Sequence, residues 1–201
     1  MNVSSPPSLS PLQRRKRSAI LDGAKSVFLR QSFDLATMDD VAAAAGVGKQ
    51  TVYRHFGSKE ALFVGLVISM CAQVGEFLSS ALDEQSDGSP DVELRELGWL
   101  LARSLIAPDN LRLYRAIVAE AERLPELGQV FYENGAKVVR AVAARILRKR
   151  FDELTAAFRA ATFVQLVLGD AYLELTIGFT VPDVEARFAL QIEEAVAAAL
   201  R

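Results

Sequence analysis

The chain has 201 residues, 51% of them apolar and 24% charged. That is long enough to bury a core without covalent staples, and too balanced for a disordered or fibrous protein. A single cysteine, Cys71, and a single histidine, His55, exclude an intramolecular disulfide and a cysteine-rich or multi-histidine metal centre, so no metal or cofactor is expected and a reducing cytoplasm fits.

The net charge of -2 is unevenly spread. Residues 1–60 carry nine Lys+Arg against five Asp+Glu, and residues 61–201 fourteen against twenty. A basic head on an acidic body hints at nucleic acid for the head, although four of the nine positives are simply clustered at Arg14, Arg15, Lys16 and Arg17.

Residues 1–12 hold Pro6, Pro7 and Pro11 among several serines, which predicts a disordered lead-in with no secretory signal. Beyond it, apolar residues recur at helical spacing and strand patterns are nearly absent. A first helix is expected over about 12–30, on the stripe Ile20, Ala24, Val27 and Phe28. Thr37 is a good cap for a second helix, Met38–Ala45, and Asp39 and Asp40 suit its positive end. Gly46 stops it as a left-handed residue. A third helix, Lys49–Phe56, ends at Gly57. Ser58 caps a fourth that runs to Leu82. A polar break at 83–90 follows. Further helices are expected at 91–106, 110–123, 126–150, 153–178 and 183–200, punctuated by Pro108, Pro125 and Pro182. The run free of charge and large polar groups, Ala61–Ala72, falls short of the roughly 18 residues a spanning helix needs, so no membrane partner is expected.

Residues 37–63 read TMDDVAAAAGVGKQTVYRHFGSKEALF. Two helices of one to two turns joined by a glycine turn have the pattern of a helix-turn-helix. In the third helix Val52 and Phe56 share one face. Lys49, Gln50, Tyr53 and Arg54 fill the other, which is cationic, hydrogen-bonding and carries one aromatic. So short a helix cannot persist alone in water. It must be mounted on Phe28 and Phe33 from one side and on Leu62 and Phe63 from the other.

The stretch AILDGAKSVFLRQSFDLATMDDVAAAAGVGKQTVYRHFGSKEALF resembles the DNA-binding domain of the TetR/AcrR family of bacterial transcription regulators, with TVYRHFGSKEALF the most diagnostic block. The resemblance covers about residues 14–66. It implies an all-α fold of about nine helices: a helix-turn-helix domain over 13–58 after the lead-in, then a helical ligand-sensing and dimerisation domain over 59–201. By the same resemblance Thr37 touches phosphate, Lys49, Gln50, Thr51 and Tyr53 face the major groove of a double-stranded DNA operator, and His55 and Lys59 contact backbone phosphate. Lys59 has independent weight, because a cation in a helix's first turn opposes the macrodipole and a phosphate there would remove the conflict. Each residue also has a plainer reading: Thr37 as cap, Tyr53 as packed aromatic, His55 and Lys59 as surface.

For the body, the resemblance implies a homodimer through helices 153–178 and 183–200. The first carries Ala156, Ala157, Ala160, Ala161, Val164, Leu168 and Gly169, and the second Phe188, Ile192, Val196 and Leu200. The same stripes would serve equally as intramolecular core. An unidentified small-molecule effector would lie among the middle helices, with Phe77, Trp99, Tyr114, Phe131, Phe163 and Tyr172 as candidate lining. Glu120, Asp170 and Glu174 stand in apolar stretches, where a buried carboxylate would suit a cationic or hydrogen-bonding ligand and a surface carboxylate is the plainer reading, while the apolar stripes with their aromatics favour an apolar or aromatic molecule. The reading is a ligand-responsive regulator, a repressor on a palindromic operator. The alternative is an architectural DNA-binding protein with no effector. An enzyme is disfavoured, since Cys71 lies in a uniformly apolar helix and no phosphate loop or nucleophile elbow occurs.

Overall fold

The computed structural model describes residues 10–81 and 88–201. Among them are ten α-helices, one π-helical turn and no strand. The helices are α1 (Pro11–Phe28), α2 (Met38–Ala45), α3 (Lys49–Phe56), α4 (Lys59–Ala81), α5 (Pro90–Ile106), α6 (Pro108–Glu120), α7 (Pro125–Phe131), α8 (Lys137–Leu147), α9 (Glu153–Thr176) and α10 (Val184–Leu200). The π-turn, Tyr132–Ala136, joins α7 to α8 without a break. The chain forms two compact units, Met1–Ser69 and Met70–Arg201, and the division falls inside α4 rather than before it.

Two segments expected to be irregular start helices instead. Ser10 and Pro11, assigned to the lead-in, form a capping box with Gln13 and a proline at the first turn, so α1 begins there. Pro90, assigned to the polar break, opens α5 behind Ser89. The remainder of those expectations, residues 1–9 and 82–87, lies outside the described residues.

The first unit is built around an aromatic cluster. Phe28, Phe33 and Phe63 have centroids 5.0–5.7 Å apart. All three are buried, and Val52 and Leu62 are fully so. Each such side chain contributes about 1.5–3 kcal/mol by leaving water, which is what a two-turn helix such as α3 lacks by itself. Gly23 lets α1 and α2 close on each other: a Cβ there would stand 2.9 Å from the Ala45 Cβ.

The hydropathy of α4 corrects one expectation. Lys59–Leu78 is long and apolar enough to cross a bilayer by length and composition. Burial accounts for part of its composition, because Leu62, Phe63, Leu66 and Val67 are core residues of the first unit, and Met70, Cys71 and Leu78 of the second.

The second unit packs α8, α9, α10 and α5 around one apolar core. Gly98 brings α5 against α10, since a Cβ there would meet Ile192 at 2.9 Å. Most of the α9 stripe and the Phe188–Ile192–Val196 row of α10 serve the intramolecular core: Ala156, Ala160, Val164, Phe188, Ile192 and Val196 are buried in a single chain, while Ala157 is exposed. The large apolar residues that these helices leave exposed are others, namely Leu154 (82%), Phe158 (75%), Leu173 (56%) and Leu190 (75%). Gly169 is not just a small residue. Its φ of 43° and ψ of -159° break the helix within α9, and a Cβ would fall 1.7 Å from the Gln191 Nε2 of α10.

Candidate nucleic-acid interface and cavity

Two features stand out, one in each unit. In the first, Gly46 takes the left-handed conformation at φ 63°, and its N–H closes α2 on the Ala42 and Ala43 carbonyls. Gly48 then begins α3. With Val52 fully buried, the opposite side of α3 is thrown outward: Lys49, Gln50, Tyr53 and Arg54 are exposed, and Thr51, His55 and Lys59 are half-buried.

Several of these groups are already engaged. The Thr37 hydroxyl donates to Asp40 Oδ2 at 2.7 Å and accepts from the Asp40 N–H at 3.1 Å, and the Thr37 N–H donates to Asp40 Oδ2 at 3.1 Å. Those bonds hold the Asp40 carboxyl below its ordinary range. Lys49 Nζ pairs with Asp39 at 2.9 Å, which raises its own pKa, and lies 6.0 Å from the Tyr53 ring centroid. Burial, then Arg54, Arg17 and Lys16, lower His55 from its ordinary value of 6.5.

Lys59 departs from the argument made for it. Its ammonium donates to the Phe33 carbonyl at 2.8 Å and lies 3.4 Å from that of Asp34, over the Phe33 ring. The conflict with the α4 dipole is thus relieved inside the unit, without a phosphate.

Sequence reasoning saw Arg17 only as one of four clustered positives. Its guanidinium lies 4.4 Å from the Phe56 ring centroid, and Gly65 makes room for that ring, since a Cβ there would stand 2.9 Å from Phe56 Cε1. The signal was available in principle: a glycine inside a helix nine residues past an aromatic marks a close approach.

In the second unit, a cavity of about 250 Å³ lies among α4, α5, α6, the π-turn, α8 and α9. Tyr114, Phe131 and Tyr172 stand on its wall. Phe77, Trp99, Glu120, Phe163 and Asp170 do not line it. Phe77 and Asp170 are exposed, and Phe163 is fully buried in the core. Trp99 lies under the Arg103 guanidinium, and Glu120 is paired with Arg123 at 2.8 Å. Helical periodicity does not separate Phe163 from the wall residues, because core and cavity share one face of α9. Missed altogether were the polar lining residues Ser104, Asn110 and Gln165, and Gly135 of the π-turn.

A helix-turn-helix with an outward cationic face, followed by a separate helical unit with an internal cavity, has the organisation of a transcriptional regulator. Comparison with known proteins agrees. Residues 20–66 match the model of bacterial regulatory proteins of the tetR family, and residues 92–201 match the C-terminal domain of AefR-like transcriptional repressors. The HTH-type transcriptional regulator AlkX of Mycobacterium tuberculosis is 25% identical over 65% of this chain. The match spans 59% of AlkX's own length. A crystal structure of a TetR-family regulator from Mesorhizobium loti superposes with a TM-score of 0.84 at 27% identity, covering 95% of this chain and 98% of that one. The flavonoid-responsive regulator FrrA superposes at 0.69 with 30% identity, covering 93% and 94%. The chain belongs to the TetR/AcrR family of bacterial transcriptional regulators. The family's members are regulators and not enzymes.

Proposed function

We propose that the protein is a cytoplasmic repressor that binds a palindromic operator as a homodimer and is released by a small molecule. The observation that carries this reading is the outward face of α3, Lys49–Gln50–Thr51–Tyr53, mounted on a buried Val52. Lys and Gln reach guanine and adenine edges in the major groove, and Thr and Tyr hydroxyls bind phosphate oxygens. Thr37, the cap of α2, and His55, in the last turn of α3, are the residues proposed to meet phosphates. Lys59, with two carbonyl partners, retains a third donor for one.

One α3 makes too few base contacts for tight binding. Two copies read half-sites about 34–36 Å apart, or multiples of that. The exposed apolar side chains Leu154, Phe158, Leu173 and Leu190 support pairing through α9 and α10. A partner helix pair laid on α9 and α10 would take these side chains out of water. The cavity, and the flavonoid-responsive relative, support a small-molecule effector and weigh against an architectural role without one. Met70, Cys71 and Val74 of α4 line the cavity, while the first turn of the same helix holds Phe33 through Lys59. An effector that binds two states of α4 unequally would shift the population of DNA-binding heads.

The test is selection of genomic DNA fragments by the purified protein, with footprinting at two salt concentrations. A recovered palindrome whose protection disappears in a Thr51→Ala, Tyr53→Ala variant supports the reading. Weak binding without sequence preference, tracking salt alone, refutes it.

A further inference from the structure

We infer that the second-unit cavity selects an uncharged aromatic molecule of one or two rings bearing a hydrogen-bond donor. This rests on the effector reading proposed above and names the chemistry of that effector.

The first observation is charge. Among the described residues the wall carries no Asp, Glu, Lys, Arg or His. Arg115, beside the wall residue Tyr114, and Glu174, two residues past Tyr172, are held elsewhere. Arg115 donates to the carbonyls of Leu175 and Thr176. Glu174 is held by both terminal nitrogens of Arg187 at 2.6 and 3.0 Å. A charged ligand would leave water without a counter-ion, which is strongly unfavourable. Burial also keeps the wall's own thiol and buried phenol neutral: it pushes Cys71 up to about 11 and raises Tyr172.

The second observation is shape. Phe131, Tyr114 and Tyr172 follow one another at centroid separations of 5.6 and 5.5 Å, tilted by 52° and 50°. Tilted rings at that spacing offer faces and edges to a further ring. The volume of about 250 Å³ exceeds the roughly 150 Å³ that holds benzene, so one or two rings fit.

The third is polarity: Ser104, Asn110 and Gln165 interrupt an otherwise mostly apolar wall. The Asn110 Nδ2 donates to the Ser104 carbonyl at 2.7 Å and lies 3.4 Å from the Ser104 hydroxyl. That fixes the amide and leaves Oδ1 as its acceptor. A phenol or amide N–H on the ligand satisfies it; an ether does not.

The experiment uses the full chain and four probes: β-naphthol, its methyl ether, β-naphthoate and β-naphthyltrimethylammonium. Binding is read by calorimetry and thermal shift. β-Naphthol is expected to bind and raise Tm, with the two charged probes weaker by about 100-fold. Ala136→Trp fills the cavity and abolishes the naphthol signal. Asn110→Leu keeps binding but removes the preference for naphthol over its ether, which guards against misfolding of the first variant. The inference is overturned if either charged probe matches naphthol, if naphthol does not bind, or if its binding survives Ala136→Trp. The same probes are added to the protein–operator complex. Naphthol that binds the cavity but leaves the complex intact defeats the effector reading and not the cavity's chemistry. A charged probe that releases DNA defeats the chemistry and not the reading.

Discussion

Lys59 Nζ lies 2.8 Å from the carbonyl oxygen of Phe33 and 4.4 Å from the centroid of the same residue's ring. One side chain at the start of α4 thus fastens the loop that precedes α2. Lys59→Met is expected to destabilise the head by about 1–2 kcal/mol, because it removes a hydrogen bond to a part-buried carbonyl. Urea unfolding measures that loss. On the phosphate contact proposed for the lysine's third donor, the variant should also lower the salt slope of DNA binding by about one. An unchanged slope would restrict Lys59 to its structural role.

The Lys49–Asp39 pair sets up a competition. Lys49 must leave Asp39 to reach a base or phosphate, and the carboxylate itself repels the DNA backbone. Asp39→Asn is therefore expected to tighten operator binding by about threefold to tenfold at low salt, an effect that fades as salt rises. Both side chains are more than half exposed, so the cost to the fold is limited to about 0.3–1 kcal/mol from losing a carboxylate at the positive end of α2. Equal or weaker binding in fluorescence anisotropy would show that Asp39 instead orients the lysine.

His55 carries two opposed pH dependences. Its folded pKa lies below 6.5, so the unfolded chain takes up a proton first. Its contribution to stability is complete above that value and is lost as pH falls through the lower folded one. A phosphate beside the ring favours the imidazolium and reverses the sign for binding, so affinity should rise as pH drops below about 6.5 while the free protein loses stability. His55→Gln should flatten both curves in paired titrations of Tm and Kd. If only the Tm curve flattens, His55 does not meet phosphate.

Phe158→Glu and Leu190→Glu change side chains that are 75% exposed in a single chain. Neither should unfold the second unit, and each should turn a dimer into a monomer in sedimentation equilibrium. Operator affinity should fall steeply with it. A dimer that survives both substitutions would move the interface elsewhere.

Much of this was legible in the residues. Thr37, Gly46, Gly57 and the regular spacing of Val52 and Phe56 place α2 and α3 to the residue, because caps and left-handed glycines act locally. The mounting on Phe28, Phe33, Leu62 and Phe63 followed from the need to bury a short helix. What was not legible depended on contacts distant in sequence. The stripes of α9 and α10 are apolar on more than one side, so periodicity alone could not tell the core face from Leu154, Phe158 and Leu190. Likewise Phe163 and Phe131 read alike, although one fills the core and the other borders the cavity.

Gly169→Ala is expected to cost about 2–4 kcal/mol, from a strained positive φ and a Cβ driven into Gln191. Thermal unfolding measures the loss. A Gln191→Ala background should recover the steric part and leave the backbone strain. No recovery would mean that α10 does not restrain the break.

A π-turn holds one residue more than the α-turn it replaces, and one residue corresponds to about 100° of helical rotation. At Tyr132–Ala136 that surplus is absorbed locally, so Leu127 before it and Val139 and Ala143 after it all reach the core. The segment is thus a place where descent can add or delete a single residue without disturbing the helix on either side. A relative one residue shorter between Phe131 and Lys137 would keep every buried face and lose only the widened turn that sets Gly135 against Cys71. Length variation at this point, rather than substitution, is the inexpensive route by which a lineage could reshape the cavity while leaving its DNA-reading head untouched.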